Sequence, residues 1–68
     1  MRVLLNGEDH ELAPGAKVPD AVAAIGADAD ARGVAVAVDG EVVPRGLWDE
    51  TPLAEGQRIE VLQAVQGG

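Results

Sequence analysis

The sequence predicts an α+β domain, a mixed sheet of four to five strands packed on one main helix. Three observations carry this. Two Asx-Gly dipeptides, Asn6-Gly7 and Asp39-Gly40, each sit between short runs of strand-forming residues, and such pairs supply the two positive-φ positions of a tight hairpin turn. Between them lies one stretch with helical spacing of apolar residues, at 17–26. A last run with strand character extends from residue 57 or 58 to about 65.

In chain order, Arg2 and Leu4 face out while Val3 and Leu5 face in, the two-residue period of a strand. Residues 8–12 return beside it, and Pro14-Gly15 closes the hairpin and opens a connection. The helix follows. Pro19 suits its first turn, Asp20 complements the positive end of the dipole and Gly26 can cap the other end. Val18, Val22 and Ile25 fall at i, i+4 and i+7 with Ala21 beside them, a narrow stripe for packing on a sheet. The Ala- and Asp-rich segment 27–32 reads as a ragged extra turn or a loop.

Residues 34–38 alternate Val with Ala, so one face carries bulk and the other is nearly flat. After Asp39-Gly40, residues 41–43 pair back and Pro44 ends that strand. Residues 46–49 make a short turn of helix, and Glu55-Gly56 leads into the final strand. Hairpin, helix, second strand pair, short turn and last strand together describe a ubiquitin-like β-grasp. Its core is expected to comprise Val3, Leu5, Leu12, Val18, Val22, Ile25, Val36, Leu53, Ile59 and Val61.

At 68 residues the chain is one domain, spanning 1–65, with a flexible tail at 66–68. Its one aromatic is Trp48, so the core is aliphatic. There is no Cys, which excludes disulfides, thiol redox chemistry and thiolate metal sites, and a reducing cytoplasm is the expected location. No signal peptide is recognised at the start, and the longest mostly apolar stretch, 33–38, is far below the ~20 residues that span a bilayer. A net charge of −7 repels phosphate backbones and anionic lipid, so neither nucleic acid nor membrane is expected as a partner.

Candidates for catalysis are few. The chain has no Ser or Tyr, and its only hydroxyl, imidazole and lysine are Thr51, His10 and Lys17. A nucleophile needs a neighbouring base, and that base could hardly be anything but His10. In a strand, however, His10 points away from Asp9 and Glu11, so the three do not converge. Asp28 and Asp30 make half of a calcium loop without its remaining ligands or terminal bidentate Glu. The glycines are spread as turn residues, with no phosphate-binding spacing. No catalytic residue, metal or bound cofactor is expected, and the chain reads as something other than an enzyme.

The ending Gln66-Gly67-Gly68 is the remaining candidate. Three extended residues at ~3.3–3.6 Å each reach roughly 10 Å past the folded body. Two glycines pass through a channel too narrow for any side chain. A terminal carboxylate, with a pKa of about 3.3–3.7, is an anion at neutral pH and must be activated before it accepts anything. Ahead of it the final strand places Arg58 and Glu60 out, Ile59 and Val61 in, and therefore Leu62 on the open face with Leu4. If the first and last strands are neighbours, Leu4, Leu62 and Ala64 form an apolar strip leading to the tail, and Val65 and Gln66 extend a partner-docking region toward Gly67 and Gly68.

The segment Val38-Asp39-Gly40-Glu41-Val42-Val43-Pro44-Arg45-Gly46-Leu47-Trp48, the ending Ala64-Val65-Gln66-Gly67-Gly68 and the opening Val3-Leu4-Leu5-Asn6-Gly7 together resemble the ThiS sulfur-carrier family of thiamin biosynthesis. The resemblance implies that a ThiF-type enzyme adenylates the Gly68 carboxylate with ATP. A desulfurase relay then supplies sulfur, converting it to a thiocarboxylate that thiazole synthase consumes. Gly67 would be the slender neighbour of the sulfur-bearing Gly68, and acyl-adenylate and thiocarboxylate would be transient modifications. Members of the family often place Thr-Val before the helix where this chain has Lys17-Val18, losing a side-chain cap of typically ~1 kcal/mol. Trp48 is expected to cover one end of the core, with Arg45 beside it bonding carbonyls.

Other readings remain open at this level. The small subunit of molybdopterin synthase shares the fold, the Gly-Gly end and the thiocarboxylate, but is typically longer and lacks the Val-Pro-Arg-x-x-Trp signature. A ubiquitin-like modifier would join Gly68 to lysines. A plain interaction module would leave the ending inert.

Overall fold

The computed structural model describes residues 1–27 and 33–63. The expected features at Asp28 and Asp30, and those at Ala64, Val65, Gln66, Gly67 and Gly68, lie outside the described residues.

Among the described residues, five strands, one α-helix and one 3-10 helix follow in the order β1 (Arg2–Leu5), β2 (Glu8–Glu11), α1 (Val18–Ala24), β3 (Val34–Val38), β4 (Glu41–Val43), the 3-10 turn (Arg45–Glu50) and β5 (Arg58–Gln63). The sheet order is β2-β1-β5-β3-β4. The two outer pairs are the expected antiparallel hairpins. Their left-handed residues are Asn6 (φ 51), Gly7 (φ 82), Asp39 (φ 50) and Gly40 (φ 87), the backbone that a two-residue hairpin with right-handed twist requires. The last strand enters between the hairpins, parallel to β1 and antiparallel to β3. With α1 over one face, this is the β-grasp arrangement.

The helix begins without a side-chain cap at Lys17. The Asp20 carboxylate compensates in part by accepting the Lys17 backbone N–H at 2.7 Å. At the other end Gly26 N–H donates to the Ala23 carbonyl at 3.0 Å and Ala27 N–H to the Val22 carbonyl at 3.1 Å. These two bonds form a Schellman cap on a glycine with φ 81. Ala27 and Val22 are both buried, the hydrophobic contact that accompanies such a cap.

Nine of the ten expected core residues are buried; the exception is Ile25, which is half-buried and packs against the rim. The helix proper ends at Ala24 and Ile25 is its C-cap, so the i+7 position falls at the helix end rather than within it. Trp48 joins the core from the 3-10 turn. It is 3% exposed, and its indole N–H donates to the Val43 carbonyl at 3.0 Å. The Arg45 guanidinium lies 4.4 Å from the Trp48 ring centroid, a cation–π contact that lays the arginine along the ring. The loop before β5 is tied to the helix start by Val18 N–H to Thr51 carbonyl (3.2 Å) and Leu53 N–H to Ala16 carbonyl (2.9 Å).

Candidate functional site

The site is built on β5, because this strand leads to the chain's ending. It is buried on the helix side through Ile59 and Val61, and exposes Arg58, Glu60 and Leu62 on the open face of the sheet. Along β3 the register places Ala37 opposite Glu60 and Ala35 opposite Leu62. Ala37 is also opposite Val42 of β4. Paired residues of adjacent strands share a face, so Leu62, Ala35, Ala37 and Val42 form one apolar surface around Glu60. A shallow pocket opens on it, lined by these residues and the Val36 backbone segment between the two alanines. Leu62 and Val42 are 68% and 73% exposed, far more than a sheet interior position would be.

Leu4 lies on the open face, as its parity requires, but it does not complete the expected strip with Leu62. The parallel register sets Leu4 opposite Arg58. Leu62 is four residues farther along β5, about 13 Å at the ~3.3 Å rise of a parallel strand. Leu4 instead has Asp9 on its other side and is 39% exposed. The apolar surface beside the ending therefore runs from Leu62 across β3 to β4, away from β1. Ala64, Val65 and Gln66, the other expected docking residues, fall outside the described residues, as do Gly67 and Gly68.

Sequence reasoning missed Ala35, Ala37 and Val42. The signal was present in the Val-Ala alternation of β3: alanines on the flat face leave Leu62 and Val42 standing proud on either side. What the sequence did not supply was the antiparallel register that brings the three strands level.

Two polar side chains grip the backbone of β5. Asp39 Oδ1 accepts the Arg58 N–H at 2.9 Å. The Asn6 carboxamide accepts the Val61 N–H at 2.8 Å and donates to the Val61 carbonyl at 3.2 Å. On β2, Asp9 and Glu11 are level with Leu4 and Arg2 on the open face, whereas His10 is level with Val3 on the helix side, so the histidine and its flanking acids diverge as expected. Glu11 pairs with Arg2 at 3.4 Å on the surface, a contact worth little in water. Among the described residues no helix is long and apolar enough to cross a membrane.

The sequence model of the ThiS family matches residues 3–68. The chain belongs to the ThiS family. The match includes the Gly67-Gly68 ending, and it leaves out only the first two residues. A crystal structure of the thiamine biosynthesis protein ThiS from Geobacter metallireducens superposes with a TM-score of 0.78 at 30% identity, covering all of both chains. A solution NMR structure of a thiamine biosynthesis protein from the same organism gives 0.77 at 28% identity, covering all of this chain and 88% of the other. No curated protein sequence matches the chain. ThiS membership makes the chain a small sulfur-carrier protein of thiamine biosynthesis with a β-grasp fold.

Proposed function

We propose that this ThiS-family chain carries sulfur on Gly68 as a thiocarboxylate for assembly of the thiazole of thiamin. The observation that carries the reading is the extent of the family match, which runs through residue 68 and so takes in a Gly-Gly ending on a chain without cysteine. Sulfur then has the main-chain terminus as its place of attachment.

The chemistry follows from the inertness of a carboxylate. An oxygen of Gly68 attacks the α-phosphorus of ATP in the active site of a ThiF-type enzyme, and pyrophosphate leaves. The resulting acyl adenylate has AMP as a good leaving group. Sulfur from a desulfurase relay attacks the acyl carbon and AMP departs: hydrosulfide gives the thiocarboxylate directly, whereas a persulfide gives an acyl disulfide whose S–S bond a thiol reductant cleaves, the thiol being oxidised to a disulfide. The thiocarboxylate finally gives its sulfur to thiazole synthase. Throughout, the chain is a substrate of its partners and supplies reach, docking surface and a slender ending. Leu62, Ala35, Ala37 and Val42 offer the apolar surface on which the activating enzyme rests, with Ala64, Val65 and Gln66 bridging to its active site. The cytoplasm, where ATP and reduced sulfur are at hand, is the setting.

The test is intact-mass spectrometry after incubation with ATP, a ThiF-type enzyme and a sulfur source. The expected product has one oxygen replaced by sulfur at Gly68. Recovery of free acid alone would overturn the reading, and isopeptide-linked ladders would point to a protein modifier.

A further inference from the structure

Strand β1 ends at Leu5, and the chain turns away through Asn6 and Gly7. In a parallel pair, alternate residues of one strand bond the other at regular intervals. Leu4 N–H donates to the Gln57 carbonyl at 2.9 Å, and Asn6 N–H donates to the Ile59 carbonyl at 2.9 Å. The next carbonyl in this series is that of Val61. No backbone group of β1 reaches it, because the chain has already turned into β2. The Asn6 side chain takes the vacant place: Nδ2 donates to the Val61 carbonyl and Oδ1 accepts the Val61 N–H. A carboxamide has the same donor and acceptor as a peptide group, so Asn6 extends the ladder one step past the end of its own strand.

The residue choice is narrow. The turn needs a left-handed φ, which Asn tolerates better than most residues. The ladder needs a donor and an acceptor on a short stem. Asp lacks the donor and Gly lacks both.

We propose that Asn6 is a positioning residue for the chemistry at Gly68, an inference that rests on the carrier function proposed above. On its β3 side β5 is paired as far as Gln63. On its β1 side Asn6 alone holds it at Val61, the residue immediately before Leu62 and seven before Gly68. By bonding both the N–H and the carbonyl of Val61 on the β1-facing edge of β5, opposite the edge paired with β3, Asn6 fixes the direction of the ending relative to the docking surface of Leu62 and Ala35. Without the clamp, docked carriers present the ending over a wider range of directions, fewer of them productive. Simple destabilisation acts differently. It lowers the concentration of folded carrier, which raises the apparent KM and leaves kcat intact.

The experiment uses the full chain with Asn6→Gly, which keeps the turn and removes the clamp. Amide exchange by NMR is expected to speed up at Val61 by roughly tenfold or more. In adenylation by a ThiF-type enzyme with the carrier as varied substrate, kcat is expected to fall about fivefold or more while KM stays near that of the unaltered chain. An unchanged exchange rate at Val61 would overturn the clamp. Faster exchange with unchanged kcat, or a raised KM alone, would overturn the positioning role and leave the carrier function standing. Failure of the unaltered chain to be adenylated would overturn the carrier function and with it any role for Asn6 in the transfer. Should Asn6→Gly not fold, Asn6→Asp keeps the acceptor for the Val61 N–H and loses the donor to the Val61 carbonyl; Val61 exchange is then expected to stay slow while kcat for adenylation falls with KM near that of the unaltered chain, and an unchanged kcat would overturn the positioning role.

Discussion

Asp39 and Arg58 are joined by a reciprocal pair of hydrogen bonds: the Asp39 N–H donates to the Arg58 carbonyl at 2.7 Å, and the Arg58 N–H donates to Asp39 Oδ1 at 2.9 Å. The same aspartate is the first left-handed residue of the β3–β4 turn, at φ 50. It therefore shapes the hairpin and receives the incoming final strand at once. Asn6 does the equivalent from the other hairpin at Val61, so the two Asx-Gly turns hold the central strand from opposite edges.

Asp39→Ala is expected to lose stability by about 1–2 kcal/mol, combining the lost hydrogen bond with the cost of a left-handed alanine. Asp39→Asn keeps both the acceptor and the tolerance for positive φ, and is expected to stay within about 0.5 kcal/mol. Urea unfolding monitored by far-UV circular dichroism separates the two. Equal midpoints for alanine and asparagine would show that the side-chain bond to Arg58 contributes nothing.

Trp48 ties the 3-10 turn to the end of β4 through its bond to the Val43 carbonyl, and it is buried in the core. Trp48→Phe removes that bond and shrinks a buried side chain, for an expected loss of about 1–3 kcal/mol. Trp48→Ala is expected to cost about 3–5 kcal/mol, most of what a small domain has. Thermal melts check both. A Trp48→Ala protein with a melting temperature near that of the unaltered chain would place the indole outside the cooperative core.

The fold was legible because its signals are local. Asn6-Gly7 and Asp39-Gly40 dictate their turns by backbone sterics alone, and the helix carries its own stop at Gly26. The fold class followed from the order of elements along the chain, whereas the order of strands in the sheet emerges only in the structure. Relationships that depend on register across non-adjacent strands were less accessible. Parity placed Leu4 and Leu62 on one face correctly, but parity holds for any even shift along the strand. The offset of four residues emerges only when Leu4 is seen opposite Arg58. The second role of Asn6 was hidden for a related reason: its turn propensity already accounted for its presence, so nothing in the sequence called for a long-range partner at Val61.

The altered outline of the apolar surface has a direct test. Leu62→Asp and Val42→Asp place a charge on it, and each is expected to lower kcat/KM for adenylation about tenfold or more, as loss of a central interface contact does. Leu4→Asp, set beside Asp9 and Arg58 and away from that surface, is expected to change it about twofold or less. All three positions are exposed, so urea midpoints should shift by no more than about 0.5 kcal/mol equivalent. If Leu4→Asp proved as damaging as Leu62→Asp, the docking surface would have to extend across β1 after all.

The ending can be separated from the body in the same assay. In the proposed reaction Gly67 precedes the residue whose carboxylate is activated, and a side chain there would have to enter the partner's active site with it. Gly67→Val adds a β-branched group that stiffens the backbone and widens the ending. Stability should be untouched, because residue 67 lies six residues beyond Val61, the last core residue among the described residues. Adenylation at saturating carrier is expected to fall about a hundredfold, the scale set when a reacting group is displaced by roughly 1 Å. Deletion of Gly68 shortens the reach by about 3.3–3.6 Å and is expected to abolish thiocarboxylate formation outright, read by intact mass. Binding to the activating enzyme, measured by calorimetry without ATP, should survive both changes, because the proposed docking surface is on β3, β4 and β5. Loss of binding together with loss of adenylation would mean that the ending itself supplies the affinity and that the sheet surface is not the dock.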